Sequence, residues 1–198
     1  MSNSYKYLDS NYTYVNPKSG ILKNLVGITD ADDLLFFESV TVTKRISELY
    51  TKPIKIIGIE SLFLIHKQLF QDIYAWAGKE RLVEISKDGK QFFPTSNFTT
   101  GFRYIDELIL DFKKTENNDK DKIAENLAQI LDNINYLHPF RDGNGRVQRE
   151  FIRMLALEKG IQLNLNPADN KSVYEKYMEG TINSDTKLLK ELILNLIE

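Results

Sequence analysis

The sequence predicts an all-α domain carrying one small β-hairpin. Apolar residues recur at helical spacing along seven stretches of the chain. The period changes only around Lys87-Asp88-Gly89-Lys90, where two short strand-like runs flank an Asp-Gly pair, a hairpin signal. Composition agrees: 198 residues with 42% hydrophobic and 27% charged side chains suffice for a core without staples.

Residues 1–27 hold turn formers (Asn16-Pro17, Ser19-Gly20) and many tyrosines, and read as an irregular arm whose rings are packing surface. Thr29 and Asp32 resemble a capping box that opens a helix running to about Tyr50, and Pro53 breaks it. A second helix covers Gly58 to Trp76, with Leu62, Ile65, Leu69, Ile73 and Trp76 on one face. Residues 82–86 and 91–93 are the strands, and Pro94 closes the second. Phe98, Phe102, Ile105, Ile109 and Phe112 mark a helix ending near Lys114, and the polar run from Thr115 to Lys122 is a loop. The longest apolar stripe is Ile123, Leu127, Ile130, Leu131, Ile134 and Leu137. After a break from Pro139 to Gly145, Val147, Phe151, Met154 and Leu155 continue as a helix that Gly160 stops. Two more helices fall near 167–180 and 185–197. Residues 1–50 thus form an arm and a helix packed on a core domain of residues 51–198.

Several function classes drop out at once. With 26 basic and 28 acidic side chains the net charge is −2, which argues against direct nucleic-acid binding. Zero cysteines exclude disulfides, zinc–cysteine sites and a cysteine nucleophile. The start, MSNSYKYLDSNYTY, lacks the basic-then-apolar order of a signal peptide, and no stretch approaches the ~20 apolar residues of a membrane span. The expectation is a cytoplasmic protein with no membrane partner.

The informative segment is His138-Pro139-Phe140-Arg141-Asp142-Gly143-Asn144-Gly145-Arg146-Val147-Gln148-Arg149. It feeds a helix N-terminus, where Gly143 and Gly145 leave backbone N–H groups unobstructed beside the positive end of the helix dipole. Four of the seven arginines fall between Arg141 and Arg153, and Arg146, Arg149 and Arg153 share one helical face. Guanidinium forks suit phosphate oxygens. Asp142 sets one carboxylate beside this anion site, which makes sense if Mg²⁺ bridges it to phosphates. His138 is the natural general base. Taken singly, a histidine at a helix end is often a dipole partner, Gly-x-Gly a turn, and helix arginines a solvated face. Their coincidence in twelve residues points to phosphoryl or nucleotidyl transfer. A Walker A loop is excluded because no Gly-Lys-Ser/Thr exists, and the dinucleotide fingerprint fails at Gln148. An EF-hand would need ligands at His138, Phe140 and Arg149. His66 shares a face with Leu62, Leu69 and Ile73, and reads as a hydrogen-bonded core histidine.

The run HPFRDGNGR followed by Arg149 resembles the Fic motif, His-x-Phe-x-Asp/Glu-Gly-Asn-Gly-Arg-x-x-Arg, at every fixed position. Residues 65–78 are similar to that family's segment leading into its flap, and residues 82–94 to the flap hairpin; about residues 58–160 are covered. Residues 12–34 resemble stand-alone bacterial Fic toxins less specifically. The resemblance implies a Fic-type helical domain that moves AMP from ATP to a Tyr, Thr or Ser hydroxyl of a target protein, releasing pyrophosphate. It implies that His138 is the base and that Asp142 holds Mg²⁺. It makes Gly143, Asn144, Gly145, Arg146 and Arg149 bind the triphosphate, with Phe140 as the loop anchor. In the flap, Lys87 and Asp88 would assist nucleotide binding, while Ile85, Ser86 and Lys87 would dock the target strand. Tyr174 and Tyr177 lie where the family often has an aromatic near the adenine, with core packing as the other reading.

Many Fic enzymes are held off by a helix bearing Ser/Thr-x-x-x-Glu-Gly/Asn. Here Glu precedes Gly or Asn only at Glu116, Glu125 and Glu179, and four residues earlier stand Phe112, Asp121 and Glu175. The resemblance then implies a toxin silenced by a separate small antitoxin that sets a glutamate against Arg149. The rivals are transfer of phosphate, UMP or phosphocholine on the same fold, removal of AMP groups, and a non-catalytic peptide-binding module. Gly145 and Arg146 match the AMP-transferring pattern, and intact His138 and Asp142 argue against the module.

Overall fold

The computed structural model describes residues 5–7, 9–87 and 89–197. Its helices are α1 (Ala31–Thr51), α2 (Glu60–Phe70), α3 (Phe98–Lys114), α4 (Lys120–Leu137), α5 (Asn144–Glu158), α6 (Lys171–Asn183) and α7 (Thr186–Ile197). Strands β1 (Tyr5–Tyr7), β2 (Ile85–Lys87) and β3 (Lys90–Gln91) form one antiparallel sheet in that order.

The predicted apolar stripe of α4 decides the packing. Ile123, Leu127, Ile130, Leu131 and Ile134 are fully buried, and α3, α5, α6 and α7 pack around them. Each such side chain contributes about 1.5–3 kcal/mol on burial. The helix α2 lies on α5, and α1 lies on α2. This arrangement aims the C-terminus of α4 and the N-terminus of α5 at one another across the loop 138–143.

Three local expectations need correction. Asp30, not Thr29, caps α1: its carboxylate accepts from the N–H groups of Asp32 (2.9 Å) and Asp33 (3.0 Å). A negative cap also meets the positive end of the helix. Next, α2 ends at Phe70 rather than Trp76. Arg45 of α1 grips Asp72 at 2.7 and 2.8 Å, and the Ile73 carbonyl accepts from Leu25 N–H. Gly78 then turns the chain with a φ of 74°. Tertiary bonds claim the groups that a longer helix would have used, although the apolar spacing continues.

The third correction concerns the arm. It is not wholly irregular, because β1 pairs with β2 in the register Tyr5↔Lys87, Lys6↔Ser86, Tyr7↔Ile85. A bridge joins Val15 to Leu22, and buried Tyr14 accepts from Leu82 N–H through its hydroxyl (3.0 Å). The hairpin is shorter than expected, five strand residues around a tight turn in which Gly89 has a φ of 82°.

Candidate active site

The loop between α4 and α5 is fixed from every side. Phe140 is 1% exposed, and its ring stacks on His66 at 3.9 Å and meets Phe63 at 5.1 Å. The Asn144 side chain accepts from Phe140 N–H (3.0 Å) and donates to the Phe140 carbonyl (2.8 Å). Its amide therefore ties the loop, and its backbone N–H is left among the orphan donors of the first turn of α5. Gly143 caps that helix with a φ of 79°. A Cβ there would also overlap the Phe70 ring, so glycine is required twice over.

His66 is buried, and its bond reaches the loop itself. Gly78 N–H donates to Nδ1 (2.8 Å), which places the proton on Nε2, where it donates to the Asp142 carbonyl (3.1 Å). Burial pushes its pKa down to about 3, so the ring is neutral near pH 7. Arg81 does comparable work on the other flank. This buried guanidinium donates to the carbonyls of His138 (2.8 Å), Val83 (2.7 Å) and Phe93 (2.5 Å), and its backbone N–H donates to the Pro139 carbonyl (2.7 Å).

His138 closes α4 in the left-handed conformation, with a φ of 45°. Its Nδ1 is 3.2 Å from the Asn135 carbonyl, which only accepts, so Nδ1 bears the proton and Nε2 the lone pair. The flap residue Phe92 stacks on the ring at 3.8 Å. Burial, with the charges of Arg81 and Lys87 adding to it, pushes the pKa down to about 3. The imidazole is in the form a base requires.

Two cavities meet at this histidine. A polar cup of about 230 Å³ is lined by Asp142, Gly143, Asn144, Gly145, Arg146 and Arg149. A larger cavity of about 630 Å³ is lined by Lys87, Phe92, Tyr136, Tyr177, Met178 and their neighbours. His138, Gly145, Arg149 and Tyr174 line both. The Arg149 guanidinium lies over the rings of Tyr174 and Tyr177, 5.3 Å from each. Among the described residues the carboxylates paired with motif-helix arginines go to Arg146 and Arg153, and none lies within 4 Å of Arg149. Arg153 turns away from the cup onto Glu150 (2.7 Å) and the Tyr50 ring (4.0 Å).

The Asp142 carboxylate accepts from Gly143 N–H (2.5 Å), and burial pushes its pKa up against the nearby Arg146 charge. Among the described residues no cluster of three or more His, Asp or Glu side chains forms a metal cage. A single carboxylate on the rim of an anion cup suits Mg²⁺, which keeps its waters and shares substrate phosphates.

The flap residues divide. Lys87 lines the large cavity. Ile85 is buried against Tyr14 and Val83, so its side chain belongs to a small core and only its backbone faces a partner strand. Ser86 pairs with Lys6 on one side and Gln91 on the other. Asp88 lies outside the described residues. Sequence reasoning missed Arg81 and Phe92, whose roles depend on contacts across the fold. It also missed Glu38, which sits on α1 against Arg146. Glu38 did leave a signal: it is the acidic residue in the apolar stripe Leu34, Val42, Leu49.

The model of the Fic/DOC family matches residues 56–156, from the irregular segment before α2 to the last turn of α5. The chain belongs to the Fic/DOC family. It is 34% identical over 182 residues to the protein adenylyltransferase VbhT of Bartonella schoenbuchensis, an alignment covering 91% of this chain and 38% of that protein. It thus spans well under half of that relative's length. With the Fic relative of Salmonella typhimurium it shares 32% identity over 168 residues, 81% of this chain and 80% of the other. The fold is that of the BepC protein of Bartonella tribocorum, solved with bound AMPPNP: the TM-score is 0.80 at 21% identity, covering 93% and 96% of the two chains. Within this Fic/DOC frame, α1 with Glu38, the strand β1 and the Tyr174–Tyr177 pair lie outside the matched segment. No helix among the described residues is long and apolar enough to cross a membrane.

Proposed function

We propose that this protein transfers AMP from ATP to a hydroxyl side chain of a target protein, with pyrophosphate leaving. The observation that carries the reading is the meeting of the two cavities at His138. An adenosine fits the larger, more apolar cavity and a triphosphate fits the polar cup, which sets the α-phosphate at their junction beside the imidazole. The BepC neighbour's AMPPNP and the VbhT name support the same chemistry.

In this reading Nε2 of His138 takes the proton of the target hydroxyl as that oxygen attacks the α-phosphorus. The bond from the α-phosphorus to the bridging oxygen breaks, and pyrophosphate carries the electron pair away. Anionic phosphates beside the ring raise the basicity of an imidazole that burial depresses. The N–H groups at the start of α5 and the guanidiniums of Arg146 and Arg149 neutralise the oxygens and hold them in line. Asp142 would hold Mg²⁺, which when bound supplies charge neutralisation between the phosphates. The target segment adds as a strand to the flap, the usual use of a sheet edge.

Two finer features belong to the same proposal. The protein acts as a toxin, and a separate antitoxin silences it with a glutamate set on Arg149, a guanidinium reached from both cavities. The purified chain alone is then active. Incubation with α-labelled and γ-labelled ATP tests the reading: α label on protein supports AMP transfer, and γ label alone means phosphate transfer. Excess EDTA should abolish labelling, and undiminished activity removes Mg²⁺ from the mechanism.

A further inference from the structure

Arg146 is held by a helix far from it in sequence. Glu38 of α1 is 7% exposed, and its Oε1 is 2.5 Å from Arg146 Nη1. The buried Tyr74 hydroxyl donates to the other oxygen of the same carboxylate. The Phe70 ring lies under the guanidinium at 4.8 Å. On the opposite side, Asp142 Oδ1 is 3.5 Å from Nη2. One guanidinium therefore stands between two carboxylates, and Glu38 is much the nearer.

Stability alone gives little reason for this glutamate. Its neighbours along the face, Leu34 and Val42, are apolar and buried. A buried ion pair generally adds no more stability than well-packed apolar side chains of the same size. What the pair does achieve is separation of Arg146 from Asp142. A guanidinium so close to a carboxylate otherwise closes on it through two parallel hydrogen bonds. That closure would withdraw the cation from the anion cup and the carboxylate from a metal in one movement.

We propose that Glu38 is a positioning residue for the cup. By clamping Nη1 of Arg146, with Tyr74 fixing the clamp, it keeps the guanidinium open toward the phosphates and keeps Asp142 available. The proposal rests on reading Arg146 and Asp142 as the phosphate and metal partners.

Glu38→Gln retains the shape and removes the charge. Its crystal structure should show Arg146 rotated onto Asp142 in a two-pronged pair, and an unmoved guanidinium overturns the proposal whatever group the enzyme transfers. Calorimetry with magnesium pyrophosphate, a probe of the cup alone, should show binding weakened about tenfold, the loss of one charge-assisted hydrogen bond. Adenosine, which carries no phosphate, should bind as to the parent. Equal weakening of both probes, with a lowered Tm, means a packing role and overturns the idea. On an Arg146→Ala background the same change should cost nothing more, and additivity is the contrary result. Should Glu38→Gln fail to fold, Tyr74→Phe loosens the clamp and should cost about threefold in pyrophosphate binding only; unchanged binding decides against the clamp. A parent chain that binds magnesium pyrophosphate yet labels no protein with AMP refutes the activity and leaves every one of these measurements readable.

Discussion

The motif segment 138–149 and the flap 82–93 both line the larger cavity, and they are built in opposite ways. In the motif segment, side chains from α2, α5 and the stretch before the flap satisfy the loop backbone, and Phe140 and Asn144 are almost wholly buried. In the flap, Leu82 is 72% exposed, Lys90 and Gln91 are exposed, and β3 is two residues long. The proposed transfer needs atoms held within fractions of an ångström, which an over-determined loop supplies. The proposed docking of a target strand needs only backbone hydrogen bonds at an edge, which a sparse hairpin supplies. Among the described residues β2 is already paired on both sides, so β1 occupies the β2 edge to which the proposed docking would add a target strand.

The largest expected effect breaks the motif side alone. His138→Ala should reduce protein labelling about 10²–10⁴-fold, the typical loss of a general base. Binding of ATP should stay near the parent value, since the ring acts on the incoming hydroxyl. Retained labelling would remove His138 from the mechanism.

Arg81→Met tests the junction between the two regions. It leaves the carbonyls of His138, Val83 and Phe93 without their donor. At about 1–3 kcal/mol for each unsatisfied group, urea unfolding should show a loss of about 3 kcal/mol or more. A loss under about 1 kcal/mol would mean that water replaces the guanidinium at these sites.

A third expectation follows from the two buried histidines, both with pKa values pushed down to about 3 by burial. Unfolded histidine titrates near 6.5. Between these values the unfolded chain binds protons that the folded chain refuses, so stability rises with pH across this window. The Tm of the ligand-free protein should therefore fall steadily as pH drops from about 6.5 toward 4. A flat profile there would mean that the rings are protonated in the folded state.

The smallest effect should come from the flap. Removing residues 1–8 deletes β1 and frees the edge of β2. Labelling of added protein targets should rise modestly while ATP affinity stays constant. Reduced labelling at constant ATP affinity would show instead that β1 is part of the docking surface.

What was legible in the sequence follows the same division. The twelve motif residues are contiguous, so their spacing alone placed His138, Asp142, the glycines and the arginines together. The stripe of α4 likewise announced the central helix, because amphipathic period is a local property. Pairing across the fold left no local trace: β1 meets β2 some eighty residues later, and Arg81 reads as an ordinary charge until its carbonyl partners are seen. The spacing through Ile73 and Trp76 looked helical although Gly78 and Asp72 had other partners. Glu38 stands between these cases, since a charge inside an apolar stripe was visible but its partner, over a hundred residues away, was not.

Arg81 has one further consequence, for how such an enzyme can change its targets. It anchors both stems of the hairpin, at Val83 and Phe93, to the carbonyl of His138. The residues between the stems hang from that pin. Between the stems, Phe92 stacks on the His138 imidazole and Lys87 adds its charge to it. The substitutions that can alter a docking surface while leaving His138 as it is are therefore those elsewhere at the tip. The same pin sets the limit of that freedom: insertions or deletions are tolerated beyond the stems, and any that shift Val83 against Phe93 pull directly on His138.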